Sequence, residues 1–534
     1  MKILGISGGM HSCGLAYLKD GKPIFAFEEE RFNRIRTYKD FYEMYFRYPY
    51  ESGQNVWFDK DFDWNELDYI TSHYPINIAE EIWDGIGLGP FPKEKYIKTN
   101  HHRAHCSLAY YCSGFEEDTL VVSMDAMGEK YSARYFIGSK GNLEDIGNID
   151  TKSKSLGHYY AMLTEFLGFK RLKDEGKVVG TASHGQYQKE FYSVFNECVK
   201  IDGIKTDNDN GKIVQGGIYE DFYNIWFKKF GSKFTNHFKN DIAYNGQLVF
   251  EEKVLEIFNN LHKKYPKIKK IALAGGIFAN VKLNKRINEL EWVDEVFIAP
   301  PMGDEGIPLG AALSVHKLKN PDFKPFRLDN IYLGTSYDND FTVDENKYNV
   351  RPYSSSQLSY DLKEGNIVGW FQGRYEHGPR ALCNRSIIAD PSTPGIYKKI
   401  NDRLQRNDFM PFAPVVIDKH VDNVFDVKKS KYTAEFMTML YNTKKKWHDK
   451  IPAVVHPVDK TARIQIVTAK SNSKFYQLIN NFYNITEIPV LLNTSFNVHG
   501  EPIVCRPEEA FVHLDNNIVD ILVINNKVYT KNDK

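Results

Sequence analysis

The stretch ILGISGGMHSCGLAYLKDGKPIFAFE (Ile3–Glu28) decides the fold. Its apolar runs Ile3–Ser7, Gly14–Leu18 and Pro23–Glu28 have strand length and are parted by the turns GGMHS and Lys19-Asp20-Gly21, so the segment reads as a three-stranded meander. A second meander starts at LVVSMDAMGE (Leu120–Glu129) and continues through Ser132–Ile137 and Leu143–Ile149. Downstream, IALAGGIFANVKLNKRI (Ile271–Ile287) reads as a buried strand passing through Gly275-Gly276 into an amphipathic helix, and VFIAPPMGDEGIPLGAAL (Val296–Leu313) repeats strand, loop and helix. Two meanders followed by strand–Gly-Gly–helix units predict an α/β fold of two related halves around a nucleotide cleft. Gly8 and Gly9 offer backbone N–H groups to a phosphate, but no G-x-x-x-x-G-K-[ST] follows, so the turn is not a P-loop.

The chain has 534 residues, enough for two or three domains. Lys+Arg and Asp+Glu both number 69, so no net field points to a polynucleotide or an anionic membrane. Six cysteines without a C-x-x-C pair predict neither a zinc knuckle nor a disulfide framework, and fit a reducing compartment. The glycine-broken N-terminus predicts no signal peptide, and no run approaches the length of a membrane span, so a soluble, cytoplasmic protein is expected. A linker is read around Pro321–Pro325 and Asn330–Asp340, which divides the chain into domains 1–330 and 331–534. The polar, aromatic stretch Lys189–Asn245 is either a wall of the acceptor pocket or a surface insertion. The many aromatics of residues 37–64 either pack a core, which is the default, or stack on a ring-shaped substrate.

Chemistry is concentrated in three places. GWFQGRYEHGPRALCNRSIIAD (Gly369–Asp390) alternates Arg374, Arg380 and Arg385 with glycines, which suits phosphate or carboxylate binding through paired guanidinium hydrogen bonds; the alternative is a solvated basic loop. LLNTSFNVHGEPIV (Leu491–Val504) ends an apolar strand at Asn493, Thr494 and Ser495, neutral groups suited to a nucleotide or acyl phosphate. In HHRAHCSLAYY the spacing His101-x-x-x-His105 puts two imidazoles on one helix face. With Asp125 at a strand end and Asp304 in PPMGDEG, they form a candidate site for iron, manganese or zinc, set against a purely structural histidine pair.

These residues sit in ten blocks on which the chain resembles the O-carbamoyltransferase family of antibiotic-tailoring and nodulation enzymes. In order they are MKILGISGGMHS with EEERFNR, HHRAH, SMDAMGE, SLGHYYAMLTEFLGF, LAGGIFAN, PPMGDEGIPLGAAL, GRYEHGPRALCNRSIIADP, MPFAPV, VHPVDKTARIQ and PVLLNTSFNVHGEPIV. The resemblance implies an actin/Hsp70/sugar-kinase-like (RNase H-like) N-terminal part and a C-terminal part similar to threonylcarbamoyl-AMP synthase. It implies that carbamoyl phosphate and ATP form carbamoyl-adenylate in the second domain. There Arg374, Arg380, Arg385 and Arg463 would neutralise phosphates, and Asn493 and Ser495 would orient the adenylate. In the first domain a divalent transition metal, iron ahead of manganese or zinc, would be held by His101, His105, Asp125 and Asp304. Gly275, Gly276 and Asn280 would contact the nucleotide, and magnesium would accompany the ATP. His11 is the candidate general base for an acceptor hydroxyl, or else a turn histidine bonded to backbone.

The expected acceptor is a small alcohol such as a sugar or an antibiotic-like metabolite, with a 5-hydroxymethylated nucleobase, free or in DNA, as second choice. A non-catalytic actin-fold scaffold would need neither the arginines nor the histidine pair, and a sugar kinase would not need the synthase-like domain. The chain departs from the family at Ser12 (usually Asp), Ala126 and Cys383 (usually Gly) and Met410 (usually Arg), which suggests a divergent member with its own acceptor.

Overall fold

The computed structural model describes residues 1–8, 12–35, 62–87, 89–150, 155–201, 205–206, 213–214, 217–219, 222–231, 238–337, 341–406 and 410–532. The first expected meander is present as β1 (Lys2–Ser7), β2 (Gly14–Lys19) and β3 (Lys22–Glu28), with β1 antiparallel to β2 from Lys2 opposite Lys19 to Ser7 opposite Gly14. Two parallel strands, β4 (Tyr69–Ser72) and β5 (Tyr96–Lys98), complete a sheet of order β3-β2-β1-β4-β5. The second sheet repeats this plan. An antiparallel meander, β6 (Thr119–Gly128), β7 (Tyr131–Ser139) and β8 (Asn142–Asp150), is joined in parallel by β9 (Lys270–Ala274) and β10 (Glu295–Ile298) in the order β8-β7-β6-β9-β10. Two-residue strands at Lys205–Thr206 and Ile213–Val214 extend it beyond β8. A meander followed by two parallel strands, occurring twice, is the arrangement expected of an actin-like first part. In β9, Ile271, Ala272, Leu273 and Ala274 are all fully buried, as parallel strands covered on both faces require.

Helices fix where this sheet places its polar ends. α1 (His101–Tyr111) has ten of its eleven residues buried, so it runs inside the unit rather than on its surface. It lies against α4 (Ile307–Lys319); between them in the chain come α2 (Leu156–Phe166) and α3 (Val281–Asn288). A Cβ on Gly310 would stand 2.1 Å from the Ala104 carbonyl oxygen, so only glycine lets the two backbones approach this closely. Ala104, Ile307 and Ala311 pack in the same contact.

The chain forms two units: Met1–Pro23 with Asp63–Leu328, and Asp329–Lys534 with Ile24–Arg36. The early segment EERFN is thus counted with the second unit. That unit is built on a mixed eight-stranded sheet of β11 (Tyr348–Pro352), β12 (Val368–Phe371), β13 (Arg385–Ala389), β14 (Ala413–Ile417), β15 (Gln465–Val467), β16 (Val490–Ser495), β17 (Ile521–Ile524) and β18 (Lys527–Lys531). Its order is β11-β18-β17-β12-β13-β16-β14-β15. One core packs Trp370, Leu358 and Leu362 against Phe475, Leu478 and Phe482 of the helix Ser473–Thr486. Among the described residues no helix is long and apolar enough to cross a membrane, and all six cysteines are buried free thiols.

Candidate functional sites

α1 starts where Asn100 accepts the Arg103 N–H at 3.2 Å, and its 100° per residue then turns His101 and His105 to one side. His102 points elsewhere and is used structurally. Its Nε2–H donates to the Tyr131 carbonyl and its Nδ1 accepts the Ser123 hydroxyl, both at 2.8 Å, while burial and His101 push its pKa down to about 3.

Asp125 arrives from β6, whose pairing with β7 shifts register between Met124 and Gly128. The carboxylate is fixed by two backbone donors, Ala126 N–H at 2.6 Å and Gly276 N–H at 3.0 Å. The second depends on Gly275, which sits at φ +105° and where a Cβ would lie 2.1 Å from the Met124 carbonyl. Asp304 comes from the single 3-10 turn Asp304–Gly306 that leads into α4, so the α1–α4 contact delivers it to the histidines.

The four side chains meet. His105 Nε2 is 3.2 Å from Asp304 Oδ1 and 3.5 Å from Asp125 Oδ2, and His101 Nε2 is 3.7 Å from Asp304 Oδ1. One ligand atom from each residue lies within 4.8 Å of the others. Donors bound to one ion at about 2.1 Å stand roughly 3.0–3.5 Å apart, so the set fits a transition metal both in spacing and in its two-nitrogen, two-oxygen chemistry. Burial opposes charge on His105, but its hydrogen bonds to Asp125 and Asp304 push the pKa up to about 9. Burial and the charge of Asp304 oppose ionisation of Asp125, yet His105 and His101 hold it below the usual carboxylate range. In the metal-free state a proton therefore stands in for the cation.

The Gly275-Gly276 pair, expected to contact the nucleotide, here holds Asp125 through the Gly276 N–H. Asn280 caps α3 by accepting the Leu283 N–H at 3.1 Å and donates to Gln247 Oε1 at 3.1 Å. His11, most of the 37–64 aromatic segment and part of Lys189–Asn245 lie outside the described residues.

In the second unit the arginines divide into two groups. Glu376 is fully buried, and one of its oxygens accepts the N–H groups of Leu382 (2.7 Å), Asn384 (2.7 Å) and Arg385 (3.0 Å), which curls the segment into a closed loop. Arg31 braces the same loop, donating to the Gly378 carbonyl at 2.9 Å while paired with Glu28 at 3.0 Å. Arg374 donates to the carbonyls of Gly334 (2.7 Å) and Leu333 (3.1 Å). Arg385 is fully buried; it donates to the carbonyls of Gln372 (2.8 Å), Asn384 (3.0 Å) and Gly373 (3.0 Å), and lies 3.5 Å from the centre of the Phe371 ring. Arg374 and Arg385 therefore hold main chain, a role that burial makes plausible only once the loop is seen closed.

The other group consists of Arg380, Arg463 and an arginine that the sequence reading missed, Arg406. Burial, then the charges of Arg380 and Arg406, press the Arg463 pKa well below its ordinary value. Arg463 itself has no hydrogen-bonding or ion-pairing partner among the described residues. Arg406 donates to Thr494 Oγ1 at 2.9 Å and Ser495 Oγ at 3.1 Å, tying the trio to the polar end of β16. Asn493, on the same strand, is buried and donates to Gln465 Oε1 at 2.9 Å and to the Ala381 carbonyl at 3.2 Å. The only signal for Arg406 was its place shortly before MPFAPV, which carries no spacing rule.

The first unit thus holds a four-residue cluster with the donor chemistry of a metal site, and the second holds three neighbouring arginines beside the polar end of β16. Comparison with known proteins supplies the class. The profile described as carbamoyltransferase N-terminus matches residues 90–313, and that described as carbamoyltransferase C-terminus matches residues 359–531. An uncharacterized protein of Methanocaldococcus jannaschii is 32% identical over 551 residues, covering 99% of each chain. The 3'-hydroxymethylcephem-O-carbamoyltransferase of Amycolatopsis lactamdurans is 30% identical over 281 residues, covering 52% of each. Among solved structures, full-length HypF in the phosphate- and nucleotide-bound form has a TM-score of 0.40 at 14% identity, covering 60% of this chain and 56% of that one. The chain belongs to the carbamoyltransferase family.

Proposed function

We propose that this carbamoyltransferase works in two steps through carbamoyl-adenylate and transfers the carbamoyl group to a hydroxyl of a small acceptor. The observation that carries the reading is the trio Arg380, Arg406 and Arg463. Burial, then the charges of Arg380 and Arg406, press the Arg463 ionisation down, and Arg406 is held at the polar end of β16; a polyanion would suit this cluster, and adenylate formation supplies one.

In the first step, carbamoyl phosphate would give up its phosphoryl group to water, leaving carbamate. A carbamate oxygen would then attack the α-phosphorus of magnesium-bound ATP, forming carbamoyl-adenylate and expelling pyrophosphate. Arg380, Arg406 and Arg463 take up the charge shared among these phosphates, and Thr494 and Ser495 hold Arg406 in place. Arg374 and Arg385 keep the loop closed around them. In the second step the acceptor oxygen attacks the carbamoyl carbon, AMP leaves with its bonding electron pair, and the hydroxyl proton passes to a base. His101, His105, Asp125 and Asp304 would hold a divalent transition metal, which when bound supplies Lewis-acid polarisation of an oxygen. Gly276 keeps Asp125 aligned by its N–H.

The test uses the full-length protein with ATP, magnesium, carbamoyl phosphate and a divalent transition metal. Pyrophosphate should form only when carbamoyl phosphate is present, and a screen of sugars, aminoglycosides and 5-hydroxymethylated nucleosides, read by mass, should find one carbamoyl group added to a hydroxyl. Carbamoyl transfer without pyrophosphate formation would remove the adenylate from the scheme.

A further inference from the structure

On the side of α1 turned away from the metal donors, the first unit contains a cavity of about 430 Å³ that the proposed reaction does not use. Arg103 lines it. Standing two residues after His101 and two before His105, Arg103 is rotated about 200° from each, so the helix that presents the metal donors on one face presents a cation on the other.

The charges around this cavity are unevenly compensated. Arg134, next to Arg103, bonds Asn100 Oδ1 at 3.0 Å and is paired with Asp145. The Lys317 ammonium donates to the main-chain carbonyls of Pro321 and Phe323. Lys98 comes no closer than 3.7 Å to Glu129. Arg103 is half-buried against the Phe136 ring, 5.9 Å from its centre, and its guanidinium has no hydrogen-bonding or ion-pairing partner among the described residues. A planar group with five N–H donors that opens on the cavity without a protein acceptor among the described residues is available to an anionic ligand. Among the described residues no carboxylate lines the cavity, Asn142 and Ser314 add polar groups, and Val315 and Leu318 supply an apolar wall.

We propose that this cavity is a second ligand site of the first unit, taking a small phosphate or carboxylate whose anionic head lies on Arg103 and Lys98 and whose short apolar body lies along Val315 and Leu318. Because Arg103 is borne by the helix that carries His101 and His105, such a ligand acts on the element that positions the metal donors. The site is separate from the guanidinium trio, which belongs to the other unit.

The experiment is calorimetric titration of full-length, nucleotide-free protein with n-butyl phosphate and, separately, n-butyrate; the stronger binder identifies the preferred head group. Binding should fall at least tenfold in Arg103→Gln, be partly kept in Arg103→Lys, weaken a few-fold in Lys98→Gln and persist in Arg406→Gln. Lys98 is half exposed, so its variant reports on the site even if Arg103→Gln unfolds. Three results overturn the proposal: no binding of either probe at millimolar concentration, equal binding by the wild type and both the Arg103→Gln and Lys98→Gln variants, or loss of all binding in Arg406→Gln.

Discussion

Replacing Arg385 by alanine tests whether this arginine is a loop brace or a substrate ligand. The side chain is fully buried and donates three hydrogen bonds of 2.8–3.0 Å to the carbonyls of Gln372, Asn384 and Gly373. Hydrogen bonds from a charged donor contribute about 1.5–3 kcal/mol each, so the three would sum on paper to roughly 5–9 kcal/mol. Burying the guanidinium costs several kcal/mol in return, a cost visible in the Arg385 pKa, which burial pushes down to about 10. Water entering the vacated space would satisfy some of the carbonyls. The expected net loss is therefore about 3–5 kcal/mol, as for other buried charged networks that lose one member. For a unit of this size that lowers the unfolding temperature by roughly 6–20 °C. Calorimetric unfolding of the full-length protein measures it, alongside carbamoyl-phosphate-dependent pyrophosphate release. Arg463→Gln provides the contrast: it relieves repulsion from Arg380 and Arg406, so it should leave stability unchanged or raise it while abolishing pyrophosphate release. An Arg385→Ala variant that unfolds within about 2 °C of wild type yet releases no pyrophosphate would falsify the brace and make Arg385 a substrate ligand.

The other expectations are narrower. Arg406→Gln should change the unfolding temperature only slightly, because lost bonds to Thr494 and Ser495 are offset by relief of repulsion on Arg463, and should lower pyrophosphate release by about 10–100-fold, since one charge-assisted contact to phosphate is lost; unchanged kinetics would exclude Arg406 from the site. His101→Ala with His105→Ala should remove about one equivalent of metal by elemental analysis and preserve pyrophosphate release, whereas metal content equal to wild type would make the pair structural. Metal affinity should depend on pH: His105, with its pKa raised to about 9 by Asp125 and Asp304, must lose a proton to bind, so affinity should rise about tenfold per pH unit below 9 and level off above it. An affinity flat between pH 6 and 8 would mean that His105 is not a ligand. Gly275→Ala should cost several kcal/mol and loosen the metal, because its Cβ would strike the Met124 carbonyl and shift the Gly276 N–H away from Asp125; a variant of wild-type stability and metal content would contradict this.

What could be read from the sequence followed from how local each signal is. The meanders were legible because strand-length apolar runs and their turns lie within a few residues of one another. The histidine pair was legible because helical periodicity alone puts positions 101 and 105 on one face, and the two aspartates because a carboxylate at a strand end or in a Pro-Gly loop has few structural uses. Arg374 and Arg385 were harder. An arginine that binds phosphate and one that holds its own loop share the same glycine-rich neighbourhood, and only burial separates them. Arg406 and the brace by Glu28 and Arg31 depend on contacts across 88 and more than 340 residues, for which no spacing rule exists.

The two centres show opposite electrostatic imbalances, and these argue for their separate roles. In the first unit two carboxylates and two imidazoles converge, and without a cation the cluster holds a proton on His105 far above its ordinary range. In the second, burial and then the charges of Arg380 and Arg406 press the ionisation of Arg463 down. A metal cation would relieve the first, and on the proposed scheme a polyphosphate or acyl phosphate would offset the second. Neither centre could exchange its task with the other without reversing that sign, since a metal would be repelled by the trio and an unaccompanied phosphate by Asp125 and Asp304. On the proposed scheme, the chemistry that needs positive charge on phosphates would therefore fall to the second unit, and the chemistry that needs a Lewis acid to the first.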